Sequence, residues 1–117
     1  MNEQEYFHIN PGYISELGDG DAEFMRDIVS EVLTTVPVTI EALARAIDAN
    51  NEKEIVFWAH KLNGTFRFTG ITALGNLLER MERDKLPGGQ YIALLEEVKA
   101  EYMLCEREFR ELLERLG

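Results

Sequence analysis

Cysteine is nearly absent from this chain: Cys105 stands alone among 117 residues. That excludes an internal disulfide and any zinc site built on paired cysteines. Long apolar runs are missing too. No stretch reaches the roughly 18 consecutive apolar residues of a membrane span, so no membrane insertion is expected. The opening Met1-Asn-Glu-Gln-Glu5 is polar and acidic. It does not read as a secretory signal, and a reducing cytoplasm is the expected location. Basic residues are scarce: 12 Lys and Arg against 22 Asp and Glu leave a net charge of −10. Such a surface repels nucleic acid and anionic lipid and suits partners with basic patches. There is no glycine-rich phosphate loop and no nucleophilic Ser or Cys motif, and the only histidines are His8 and His60.

What is present is helical periodicity. Hydrophobic residues make up 45% of the chain, enough for a core, and the length suits one domain over 1–117. Asn10-Pro11-Gly12 is a turn that opens a short helix near Pro11 to Leu17, and Gly18-Asp-Gly20 is a second break, with Asp21 placed to cap the next helix. From Ala22 to Ala49, Phe24, Ile28, Val32, Val36, Ile40, Leu43 and Ile47 recur at three- or four-residue spacing. Pro37 inside that run predicts a kinked helix rather than two helices. Leu74, Leu77, Leu78 and Met81 repeat the pattern, Leu86-Pro-Gly-Gly89 ends it, and Tyr91 to Leu116 is a last long helix. In that helix Glu106-Arg-Glu-Phe-Arg-Glu111 reads as a solvated face with Phe109 in the core.

The segment Ala59-His-Lys-Leu-Asn-Gly-Thr-Phe-Arg-Phe-Thr-Gly70 admits two structures. Asn63-Gly64 is a hairpin dipeptide, and Thr65 to Thr69 alternates like a strand. A lone strand, however, leaves its backbone groups unpaired. A helix from about Glu52 to Phe68 instead supplies the fourth long member of a set. The expected fold is all-α: an antiparallel up-down-up-down four-helix bundle with a short additional N-terminal helix.

On that helix, at roughly 100° per residue, Trp58, Ala59, Leu62, Phe66 and Thr69 fall within about 60° of Ile55. His60 falls about 140° away and Gly64 about 180° away, with Arg67 on the same side. His60 is therefore expected in solvent. Gly64 costs about 1 kcal/mol relative to alanine in a helix interior, and outward-facing it leaves a notch beside the ring. No Asp or Glu occurs from Ile55 to Leu78, whereas Lys61 and Arg67 do. This predicts a locally positive surround suited to an anion on the ring. Neutral imidazole is a competent nucleophile whose missing metal and cradle a partner can bring. Glu5-Tyr-Phe-His8 has the Glu-x-x-His spacing of di-iron bundles but no second copy, so no metal site is expected. Asn63-Gly64-Thr65 matches a glycosylation acceptor, which is void without a secretory route.

His60-Lys-Leu62-Asn-Gly64-Thr65, followed by Gly70 and Leu74, resembles the signature of histidine-containing phosphotransfer (HPt) domains of two-component phosphorelays. Gly20-Asp-Ala-Glu-Phe24 before a long apolar helix and the Ile47-Asp-Ala-Asn-Asn-Glu52 break are similar to that family as well. The resemblance implies a phosphoryl carrier without turnover of its own. His60 would be phosphorylated at Nε2, with Lys61, Asn63, Gly64 and Arg67 around the phosphoryl group. The partners it implies are receiver domains of hybrid histidine kinases and response regulators, which would supply Mg²⁺; the chain itself needs no cofactor. Gly64 would make room for the receiver. Phe57 and Phe68 wheel toward the outer half of the helix, which suits either packing against a neighbouring helix or an apolar docking patch for a receiver. Many members carry Lys or Arg three places after the histidine, where this chain has Asn63. Two other readings stay open: a helical interaction module that binds without phosphoryl transfer, and a chemotaxis-type domain phosphorylated directly by a kinase. Nothing demands a dimer, so a monomer is expected.

Overall fold

Side-chain caps start three of the five helices in the computed structural model, which describes residues 6–71, 73–83 and 86–117. Asn10 accepts from the Tyr13 N–H, and Pro11 fills the first turn of α1 (Pro11–Leu17). Asp21 accepts from the Glu23 N–H at the start of α2 (Ala22–Asp48). Asn51 does the same for the Glu54 N–H at the start of α3 (Glu52–Phe68). α4 (Ala73–Arg83) and α5 (Gly88–Leu116) complete the set. No strand occurs among the described residues. α2 continues through Pro37 as one helix. Val36 and Ile40 on either side are both buried, and their burial offsets the missing N–H of proline.

The 59–70 segment is helical up to Phe68. Its strand-prone threonines are absorbed by back-bonding: Thr65 Oγ1 donates to Lys61 O at 3.2 Å, and Thr69 Oγ1 to Thr65 O at 3.1 Å. The helix stops at Gly70, whose φ of 79° is left-handed, and the Ile71 N–H reaches back to Phe66 O at 2.8 Å. Glycine is required there twice over, because a Cβ at this position would also lie 2.8 Å from Tyr13 Cγ.

α3 packs between α2 and α4, and α5 packs against the same two helices from the other side. Phe66, Leu43, Leu62, Leu78 and Phe109 are fully buried in the core they share. At about 1.5 Å per residue, the 29 residues of α5 reach the 43 Å length of the molecule.

Residues 6–9 form a strap along α5. The Glu108 carboxylate accepts the backbone N–H groups of Phe7, His8 and Ile9 at 3.0, 2.8 and 3.1 Å. Tyr6 and Ile9 are buried there, and His8 Nδ1 meets Glu101 at 3.0 Å. Glu5 of the Glu-x-x-His spacing lies outside the described residues. Among those described, no three His, Cys, Asp or Glu side chains gather as a metal set.

Cys105 is sealed beneath this strap. Burial, reinforced by the Glu101 and Glu108 carboxylates, pushes its thiol from 9.0 up to about 12. The unfolded thiol ionises first, so this contribution to stability is complete below about 9 and is lost as pH rises toward about 12. Urea midpoints measured across that range should therefore fall with pH, and fall less in Cys105→Ala.

Candidate functional site

His60 stands on the outer face of α3 with 76% of its side chain exposed. Its Nδ1 lies 2.6 Å from Oε1 of Glu82, a residue of α4. The other oxygen, Oε2, accepts from Asn63 Nδ2 at 3.1 Å. A carboxylate oxygen accepts here, so Nδ1 carries a proton, and in the neutral ring that leaves the lone pair on Nε2. One carboxylate thus fixes both the tautomer and the direction in which the free nitrogen points.

The surround is not the positive island that the local sequence predicts. α4 closes over one side of it with two carboxylates. Glu79 Oε1 takes Arg67 NH2 at 3.0 Å and lies 4.0 Å from Arg83 NH2. Glu82 is only 16% exposed and takes His60. Glu79 and Glu82, which lie just past the acid-free stretch from Ile55 to Leu78, fold back on it and supply the negative charge it lacks. Arg67 is consequently held toward α4, although an exposed pair of this kind is worth about 1 kcal/mol or less and yields to a stronger anion. Lys61 Nζ lies over the Trp58 ring, 5.4 Å from its centre.

Gly64 is open: a Cβ built there would meet nothing within 4 Å. It borders a groove of roughly 720 Å³ between α2 and α3, lined among others by Ile28, Thr35, Val38, Lys61 and Phe68. Phe68 is exposed at this groove. Phe57 is exposed as well, but it does not line the groove; its ring stands edge-on to Trp58 at 4.8 Å. His60, Lys61, Gly64 and Arg67 share one outer face. Asn63 does not, because it is 2% exposed and lies beneath Glu82. Its wheel position, about 80° from Ile55, is the signal for that burial.

Three participants were not found by sequence reasoning: Glu79, Glu82 and Val38. Val38 is 64% exposed and lies off the buried stripe of α2, which marks it as a surface apolar residue. Glu79 and Glu82 follow the apolar residues of α4, and periodicity alone does not say which flank of that helix meets α3.

A family model of the Hpt domain matches residues 27–117. The chain belongs to the Hpt domain family. Histidine phosphotransfer in phosphorelays is the family's role, its members are phosphoryl carriers rather than catalysts, and their partners are receiver domains. The Hpt match starts inside α2, so the strap and α1 precede it. No curated protein and no solved structure matches the chain. No helix among the described residues is long and apolar enough to cross a membrane.

Proposed function

We propose that His60 accepts a phosphoryl group on Nε2 from the phospho-aspartate of one receiver domain and passes it to the aspartate of another. The observation that carries this reading is the exposed ring whose Nδ1 is tied to Glu82 while Nε2 faces outward. The Nε2 lone pair attacks phosphorus; the N–P bond forms as the acyl P–O bond breaks, and the aspartate leaves as a carboxylate. The imidazole becomes a phosphoimidazolium. Its positive charge develops beside the Glu82 carboxylate, and the Nδ1 proton need not move. Return to a second aspartate reverses these steps. Mg²⁺ belongs to the receiver in this reading. Lys61, together with Arg67 once it is released from Glu79, meets the phosphoryl oxygens.

The groove beside Gly64, with Val38 and Phe68 on its rim, is the docking face in this reading. Four long helices in an up-down-up-down bundle account for its shape. Arg26, near the start of α2, donates to the Leu116 carbonyl at the end of α5. The His60–Glu82 and Arg67–Glu79 pairs run in opposite order along α3 and α4. The chain is then one Hpt domain acting as a cytoplasmic monomer.

The test follows label from a phosphorylated receiver. Acid-labile, base-stable phosphate should appear on the chain and be absent from His60→Gln. Label that persists in His60→Gln overturns the assignment; binding with no transfer to any cognate receiver favours a pure interaction module. Glu82 also lends weight to a second reading. A carboxylate-supported Nε2 suits a donor less activated than an acyl phosphate, as in direct phosphorylation by an ATP-binding kinase domain. Mixing the chain with such a domain and ATP separates the two.

A further inference from the structure

We propose that Asn63 is a positioning residue for the phosphoryl acceptor: it orients the Glu82 carboxylate and thereby sets the tautomer and aim of the His60 ring. The proposal rests on the reading of His60 as that acceptor, but its first readout needs no phosphoryl donor.

Asn63 is 2% exposed, and its Nδ2 donates to Glu82 Oε2 at 3.1 Å. The orientation of the amide is forced, because its oxygen turned toward Glu82 would set acceptor against acceptor. The consequence is visible on the far side: Asn63 Oδ1 is buried without a hydrogen-bond partner. Buried polar atoms without partners are rare and call for a reason. A leucine, with the same heavy-atom branching, would remove the orphaned oxygen, but it would also remove the donor that holds Glu82. α4 accommodates the amide through Gly75, where a Cβ would come within 3.1 Å of Asn63 Oδ1. The chain therefore carries a linear relay of contacts from Gly75 through Asn63 and Glu82 to His60 Nδ1.

The relay gives Asn63 a role different from contact with the phosphoryl group. Its amide nitrogen donates to Glu82, and the side chain, 2% exposed, lies beneath the surface on which Nε2 opens. With that donor in place, the carboxylate has one oxygen left for the ring, and it faces Nδ1. Without it, the carboxylate is free to rotate, and an imidazole that is not held populates both tautomers. A ring protonated on Nε2 has no lone pair there to attack.

The test uses the full chain with ¹⁵N-labelled histidine. The wild type should show His60 as the Nδ1–H tautomer. Asn63→Leu should shift it toward a mixture and slow its phosphorylation by phosphoramidate by about tenfold, the effect typical of losing an outer-shell partner. In the Glu82→Gln background, Asn63→Leu should add little further slowing, because its effect runs through the carboxylate. An unchanged tautomer in Asn63→Leu, or slowing that multiplies in the double variant, overturns the proposal; the latter would mean that Asn63 acts on the phosphoryl group itself. If Asn63→Leu does not fold, Gly75→Ala takes its place. It presses on Asn63 Oδ1 from behind while favouring the helix, and it should shift the tautomer in the same direction; no shift overturns the proposal. If the tautomer responds but no phosphohistidine forms in any variant, it is the reading of His60 as acceptor that fails.

Discussion

Gly64→Gln should slow phosphoryl exchange between the chain and a receiver domain on the order of 10²-fold, the scale set by displacing a reacting group by about 1 Å. The substitution costs the chain itself nothing. Gly64 faces open space in the middle of α3, and glutamine in place of glycine favours a helix by roughly 0.5–1 kcal/mol. The variant should therefore melt at or above the wild-type temperature. The loss has to come from the partner, whose surface meets a new side chain one turn from His60. Phosphoramidate needs no docking, so its reaction with His60 should suffer far less. Stopped-flow transfer from a phosphorylated receiver, set beside phosphoramidate labelling of the same samples, measures both. Equal losses with the two donors would mean that Gly64 supports the ring rather than giving clearance to a partner.

Glu108→Ala should lower the unfolding free energy by about 3 kcal/mol, a large share of the 5–15 kcal/mol typical of a domain. Three backbone N–H groups converge on this carboxylate, and the one from Ile9 is buried. Removing the acceptor leaves each without a partner in a place where water has limited access. Tyr6 and Ile9, which the strap holds in the core, then lose the tether that keeps them there. Glu108→Gln keeps one acceptor oxygen and should cost less. Urea denaturation of the three proteins gives the order directly. α5 packs on α2 and α4, across the bundle from α3, so these variants test the scaffold and not the phosphoryl site.

The helices were legible in the sequence because each depends on local signals. Spacing set the apolar stripes, Asn10-Pro11 and Asp21 marked two of the starts, and Asn50-Asn51 and Leu86-Pro-Gly-Gly89 marked two of the stops, whereas the Asn51 cap and the Gly70 stop emerge only in the structure. The hairpin reading of Asn63-Gly64 failed for a tertiary reason: Leu62 and Phe66 bury fully only at helical spacing. The outward placement of His60 and Gly64 could be read in the same way. The electrostatics could not. Glu79 and Glu82 lie 12 and 22 residues from the groups they hold, and only the packing of α4 on α3 brings them together. A stretch without acidic residues was therefore a poor guide to local charge. The strap was hidden for the same reason: Glu108 sits in a run that reads as solvated, and its partners are about a hundred residues away.

The central claim is that Nε2 of His60 is the nitrogen that takes the phosphoryl group, because Glu82 holds Nδ1. Long-range ¹H–¹⁵N correlation of the phosphorylated, ¹⁵N-histidine-labelled chain tests it most directly. The expected spectrum shows phosphorus coupled to Nε2 of His60, the proton retained on Nδ1, and His8 unchanged. Phosphorus on Nδ1, on His8, or on no histidine at all would contradict the account.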